Sequence, residues 1–203
     1  CFFMGYVFGK CRVHKRNVIW YILFGVAWLI LSCYYNNKSS SSENIKLVFS
    51  NVNYKGFQHT DVASFKNCTI VGQPFLYGNK ATFEGCTFEQ TSAGAYNVWT
   101  YGAKEVEFVN CVFNSAGKSV LIYTESGAGQ SVLFEGCTLN ASAPADGKAA
   151  IEIDSSLISG LYDITINDTT ATGFANGNVS GNSLWNNKKG DKATITVDGV
   201  KVL

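Results

Sequence analysis

Residues Phe83 to Phe88 read FEGCTF, and nearly the same six letters recur as FKNCTI from Phe65, FVNCVF from Phe108 and FEGCTL from Phe134. A looser form of the pattern (apolar, any, Asn/Asp/Gly, small, any, mostly apolar) also covers FSNVNY from Phe49, INDTTA from Ile166 and VDGVKV from Val197. The fourth positions are Val52, Cys68, Cys86, Cys111, Cys137, Thr169 and Val200, separated by 16, 18, 25, 26, 32 and 31 residues. Unequal repeats of that size are the signature of a solenoid whose loops vary in length. The four central copies carry the argument, and the outer three extend it.

Within a copy, Phe83 and Cys86 are three residues apart and would face opposite sides of one continuous strand, whereas Cys86 and Phe88 share a face. Something must re-aim the chain between them. The residue before each cysteine is Asn67, Gly85, Asn110 or Gly136, and Asn and Gly enter the left-handed region most cheaply. One such residue makes a corner, so that both rings and the thiol all point inward.

This geometry resembles the right-handed parallel β-helix of the pectate-lyase-like superfamily, in which short strands meet at a one-residue bend often filled by Asn. The resemblance covers roughly Ile45 to Leu203 and implies an all-β solenoid of about seven coils. It is a likeness of fold and by itself carries no activity. A left-handed hexapeptide helix fits less well, because steps of 25 and 26 residues are not multiples of six.

In such a stack, coils lie about 4.8 Å apart, so the recurring cysteines form an internal ladder of small apolar side chains. Disulfides are the weaker alternative, since stacked residues project in parallel and lack the Cβ approach a bridge needs. Zinc is weaker still: there is no Cys-x-x-Cys pair, and only His59 lies nearby. No metal and no cofactor is expected.

The ends of the chain read differently. Lys10, Arg12, Lys15 and Arg16 precede Asn17 without any acid, giving +4, whereas the 12 lysines and 15 acids from Val18 onward give −3. The basic cluster leads into VIWYILFGVAWLIL, 14 largely apolar residues from Val18 to Leu31, and then into SC and the polar run NNKSSSSEN. This is the layout of a secretory signal peptide, with a hydrophobic helix. Ile30-Leu31-Ser32-Cys33 resembles a bacterial lipoprotein lipobox, which implies lipid attachment at Cys33 and a place in the bacterial cell envelope, on the exported side. A single membrane-spanning helix is the alternative, since counting on to Tyr35 gives 18 residues. Residues 1–33 are thus expected to be signal or membrane anchor, 34–44 a flexible polar tether, and 45–203 the β-helix. VDGVKVL reads as a repeat strand with no polar cap after it.

Each coil should carry a further strand before its corner, and the candidates are FLYG, NVWTYG, SVLIYTES, AAIEIDS and SLWNN. With Leu76, Val98, Ile122, Ile151 and Leu184 placed inward, alternation turns Tyr77, Trp99, Tyr123, Glu152 and Trp185 outward in one stripe. Tyr101, Glu125 and Asp154 would then form a parallel stripe two residues on. A slip of one residue would reverse this. Aromatic faces beside carboxylates suit sugar rings, so Tyr77, Trp99, Tyr101, Tyr123 and Trp185 are the candidate ligand-binding residues and a glycan is the expected partner. The bland alternative is that these rings only stack on one another to stabilise the sheet.

An enzyme is the competing class. Calcium-dependent pectate lyases share the architecture and usually employ an arginine as base, but no arginine follows Arg16. The Asn-Thr-Asp, Asp-Asp, Gly-His-Gly and Arg-Ile-Lys motifs of polygalacturonase-type hydrolases are missing as well. What remains is Glu125, Glu152 and Asp154, with Lys118 or Lys148 as base, since two carboxylates can run glycoside hydrolysis. The −3 balance of the exported part, without arginine, argues against nucleic acid. The sequence therefore favours an envelope-anchored binding or adhesion module, with a polysaccharide lyase or hydrolase as second choice.

Overall fold

The structure is a computed structural model that describes residues 40–48, 62–124, 129–154, 160–177, 182–188 and 192–203. The expected hydrophobic helix and Cys33 lie outside the described residues, as do the copy from Phe49, His59 and Glu125.

The described chain is all-β, in short, mostly parallel strands that build three stacked sheets, the arrangement of a β-solenoid. The first sheet holds β1 (Ser40–Glu43), β3 (Val62–Lys66), β5 (Lys80–Glu84), β8 (Glu105–Val109), β11 (Gln130–Glu135), β14 (Tyr162–Asn167) and β17 (Ala193–Val197), followed by β18 (Val200–Lys201). The second holds β2 (Lys46–Val48), β4 (Thr69–Val71), β6 (Thr87–Gln90), β9 (Val112–Ser115), β12 (Thr138–Ala141) and β15 (Thr170–Thr172). The third is made of β7 (Val98–Trp99), β10 (Val120–Ile122), β13 (Ile151–Ile153) and β16 (Trp185–Asn187). The chain visits the sheets in turn, and equivalent strands of successive coils pair in register, with Phe65 on Phe83, Phe83 on Phe108 and Phe108 on Phe134.

The corners between first and second sheets lie where the repeats place them. Asn67 and Asn110 have φ of 51°, Gly85 60° and Gly136 62°, all in the left-handed region. The alternation of Asn and Gly also has a steric cause. A Cβ on Gly85 would sit 2.6 Å from Asn67 Oδ1, and one on Gly136 would sit 2.5 Å from Asn110 Oδ1. Asn67 and Asn110 thus lie across the corners that follow them and leave room there only for glycine, whereas the corner at Asn44 is followed by Asn67 without one.

Inside, the four phenylalanines stack with centroids 4.9, 5.4 and 5.1 Å apart. Phe88 and Phe113 form a second stack at 4.6 Å. Burying one such ring is worth about 2 kcal/mol, which outweighs the roughly 1 kcal/mol strain of a non-glycine corner. Cys68, Cys86, Cys111 and Cys137 are all buried and free. Each thiol points at a carbonyl of the preceding coil: Cys86 at Phe65 (3.5 Å), Cys111 at Phe83 (3.4 Å), Cys137 at Phe108 (3.3 Å). Contact with the thiols of Cys137 and Cys86, and then burial, push the Cys111 thiol far above its ordinary range. It stays protonated and packs as a small apolar group.

Two expectations at the ends are revised. The stretch read as tether contributes β1, whose Ser41, Ser42 and Glu43 pair with Ser64, Phe65 and Lys66. Its corner is Asn44, at φ 54°, so the strand paired with that of Phe65 on this side is Ser40–Glu43. Backbone pairing holds this strand, and polar side chains are no obstacle to it. At the other end, VDGVKV is not a corner. Asp198 and Gly199, with φ of 47° and 76°, make a hairpin that folds β18 back antiparallel on β17, Val197 facing Val200. Asp-Gly with both residues at positive φ is the signature of that turn.

Candidate functional site

The third sheet carries the residues singled out for binding, in a register that differs from expectation. Val98, Val120, Ile151 and Trp185 occupy one row, and Trp99, Leu121, Glu152 and Asn186 the next. Phe75 bridges to Trp99, which extends the second row by one coil. Two residues further along, Tyr77, Tyr101, Tyr123, Asp154 and Lys188 stand together in a parallel row on the same face, consistent with the donation of Asp154 N to Ile122 O and of Lys188 N to Ile153 O. Trp185 therefore belongs to the inward row. It is half-buried and packs on the core, so it leaves the candidate face. The slip arises because β7 is only two residues long and the loops before these strands differ in length. Both Val120 and Ile122 point inward, and either satisfies the apolar pattern.

Phe75, Tyr77, Trp99, Tyr101 and Tyr123 form one continuous, half-buried aromatic face. Centroid distances are 5.0 Å for Phe75–Trp99, 5.2 Å for Tyr77–Tyr101, 5.8 Å for Trp99–Tyr123 and 5.6 Å for Tyr101–Tyr123. Only the Tyr101–Tyr123 pair is near parallel, at 22°; the Trp99 contacts are tilted, at 50° and 56°. Trp99 Nε1 is buried and has no hydrogen-bond partner among the described residues.

The backbone beneath this face is fixed from inside. Gln130 Nε2 donates to Thr100 O at 2.7 Å and also to Ala103 O, which ties both ends of the turn carrying Tyr101. Tyr123 N donates to Thr100 Oγ1 (3.2 Å), and Thr124 N to the Tyr162 hydroxyl (3.0 Å). Gly102 is needed for a packing reason, because a Cβ there would lie 2.7 Å from the Tyr77 ring. Its absence lets that ring lie against the main chain.

Beside the aromatics stands a charged cluster centred on Glu152, which is only 1% exposed. Its Oε1 accepts from Ala149 N at 2.7 Å and from Asn186 Nδ2 at 3.2 Å. Lys188 Nζ lies 3.0 Å and Lys148 Nζ 3.7 Å from Oε2. The carboxylate is thus saturated by structural partners, which fits a scaffold role better than an acid or base exposed to substrate. Burial, followed by the neighbouring Lys188 ammonium, lowers the pKa of Lys148. Burial also acts to lower Lys188, but its contacts with Lys148 and Glu152 prevail and raise it. Tyr96 closes the group: it lies 6.2 Å from the Trp99 ring and carries Lys118 Nζ 5.6 Å above its own. Burial, with help from Glu152 and Asp154, raises the Tyr96 phenol well above its usual value.

The structure thus brings Tyr77, Trp99, Tyr101 and Tyr123 together and leaves Asp154 half-exposed at their edge. Phe75, Tyr96, Lys188 and Asn186 were missed. Phe75 sits outside any strand and is placed by a single bridge, and Lys188 is recruited from the end of β16, where the sequence shows only a polar run. No group of three or more His, Cys, Asp or Glu side chains able to hold a metal occurs among the described residues, and no helix there is long and apolar enough to cross a membrane. Compared with known proteins, the chain matches no family model, no curated protein and no solved structure.

Proposed function

We propose that this chain is a binding or adhesion module of the bacterial cell envelope, displayed on a right-handed parallel β-helix of about seven coils and engaging glycan through the aromatic face. The observation that carries the reading is the contiguity of Phe75, Tyr77, Trp99, Tyr101 and Tyr123 across three successive coils on one outer face. Tilted rings leave apolar surface on which sugar C–H faces can stack, while Asp154 and the lysines at the rim offer partners for hydroxyls. Right-handedness follows the general rule for parallel crossover connections. The N-terminal pattern supports lipid attachment at Cys33, with a spanning helix as the other form of anchor. Glu152, held by Lys148, Lys188, Ala149 and Asn186, speaks for a scaffold more than for turnover.

A glycan array with the anchored or the Cys33→Ala protein tests the reading. Trp99→Ala should weaken binding to the best hit by about tenfold, as expected for an aromatic anchor, whereas Trp185→Ala should not act through the aromatic face. Release of unsaturated or reducing sugar from a hit would replace the binding module by a polysaccharide lyase or hydrolase. Unchanged affinity in Trp99→Ala would remove the aromatic face as the site.

A further inference from the structure

The second sheet bears on its outer side a groove of about 470 Å3. Three successive coils build it, each giving the last two residues of β6, β9 or β12 and the residue that follows the strand, 89–91, 114–116 and 140–142. The triplets are in register, Glu89 beside Asn114 and Asn114 beside Asn140. The groove is therefore periodic along the stack, with one identical step per coil of about 4.8 Å.

A polar ladder runs along it. Asn140 Nδ2 donates to Asn114 Oδ1 at 3.2 Å, and Asn114 Nδ2 donates to Glu89 Oε1 at 2.9 Å. Because every rung donates toward Glu89, the arrangement has a direction and each amide has a fixed orientation. An acid ends one side and an amide the other, so both acceptors and donors face the groove. The next positions are Gln90, Ser115 and Ala141, two of them small, and Thr91, Ala116 and Ser142 beyond them keep the walls low. Among the described residues no basic side chain lines the groove and Glu89 is its one carboxylate, which disfavours anionic ligands.

We propose that this groove is a second binding site, for an uncharged linear oligosaccharide lying along the stack with one sugar per coil. The chemistry selects that class. Hydroxyls donate and accept at once, as the amide ladder does, and a pyranose unit of an extended chain advances by nearly the inter-coil spacing. A peptide strand advances about 3.4 Å per residue and falls out of step with the rungs after one coil. This site is separate from the aromatic face and does not depend on it.

The test is calorimetric titration of the whole chain with cellobiose, cellotriose and cellotetraose as neutral linear probes, using wild type, Ser142→Trp, Asn140→Leu and Trp99→Ala. Ser142 is exposed, so an indole there fills the groove without disturbing the core, and an unchanged melting temperature verifies this. The expected result is affinity that rises to cellotriose and then levels off, since three coils line the groove. It should fall about tenfold in Ser142→Trp and in Asn140→Leu and persist in Trp99→Ala. Unchanged binding in Ser142→Trp, binding lost only in Trp99→Ala, or no binding of any of the three probes overturns the groove as a neutral glycan site. Binding that survives Trp99→Ala but not Ser142→Trp sustains the groove whatever becomes of the aromatic face.

Discussion

Replacing Glu152 by Gln should destabilise the protein by about 2–3 kcal/mol, and the size follows from the contacts around the carboxylate. At an effective dielectric constant of about 20, a unit charge 3.0 Å away, the distance of Lys188, is attracted by about 5 kcal/mol, and one at the 3.7 Å of Lys148 by slightly less. Desolvation of the 1% exposed carboxylate consumes much of that gross attraction. Removing one partner of a buried pair nevertheless costs about 3–5 kcal/mol, because the other charge is left behind. The lysine side chains, 28% and 27% exposed, can swing toward water, which brings the figure down. Glutamine retains one oxygen for Ala149 N but turns an amide toward Lys188 or Asn186. In a domain of this size the loss corresponds to a fall in Tm of roughly 5–10 °C, read by circular dichroism and checked by urea titration. Asp154→Asn, at a half-exposed position, should stay within about 0.5 kcal/mol. A Glu152→Gln protein that melts with the wild type, yet has lost a sugar-cleaving activity, would refute the scaffold role and reinstate this residue as a reacting group.

Two further outcomes follow from the structure. The Tyr96 phenol, whose pKa is raised mainly by burial, keeps its proton in the folded state while an unfolded tyrosine releases it near pH 10. Its contribution is complete below that pH and is lost as pH rises beyond it; urea unfolding between pH 8 and 11.5 should steepen there, and less so in Tyr96→Phe. Gly85→Ala combines φ of 60° with a Cβ 2.6 Å from Asn67 Oδ1 and should cost about 1–3 kcal/mol; Asn67→Gly in the same chain should recover part of this, and strictly additive losses in the double mutant would dismiss the contact.

The central coils were readable because Phe65, Phe83, Phe108 and Phe134 and their cysteines repeat a pattern that only inward stacking satisfies. The third sheet was less readable for a physical reason. Its shortest strand is Val98–Trp99, and strands so brief contain too few alternations to fix register by themselves. The aromatic identity of the face survived, since Tyr77, Tyr101 and Tyr123 do meet, but Trp185 changed sides. Ser40–Glu43 escaped notice because an end strand held by main-chain pairing needs no apolar signal. At the opposite end, Asp198-Gly199 fits both a corner and a hairpin, and only the antiparallel pairing of Val197 with Val200 decides between them. The groove left almost no trace: Glu89, Asn114 and Asn140 look like ordinary surface residues until register aligns them.

The alternating corners impose a parity on the central stack. Asn67 covers Gly85 and Asn110 covers Gly136, so the natural module there is a couple of coils, one supplying the lid and the next the gap. Excising the coil of Gly85 would set Asn67 against the Cβ of Asn110, whereas excising that coil together with its successor would restore an Asn-to-Gly step. Among these four coils the repeat therefore comes in twos, set by a side chain that never enters the core, while Asn44 ahead of Asn67 shows that two asparagine corners can also follow one another.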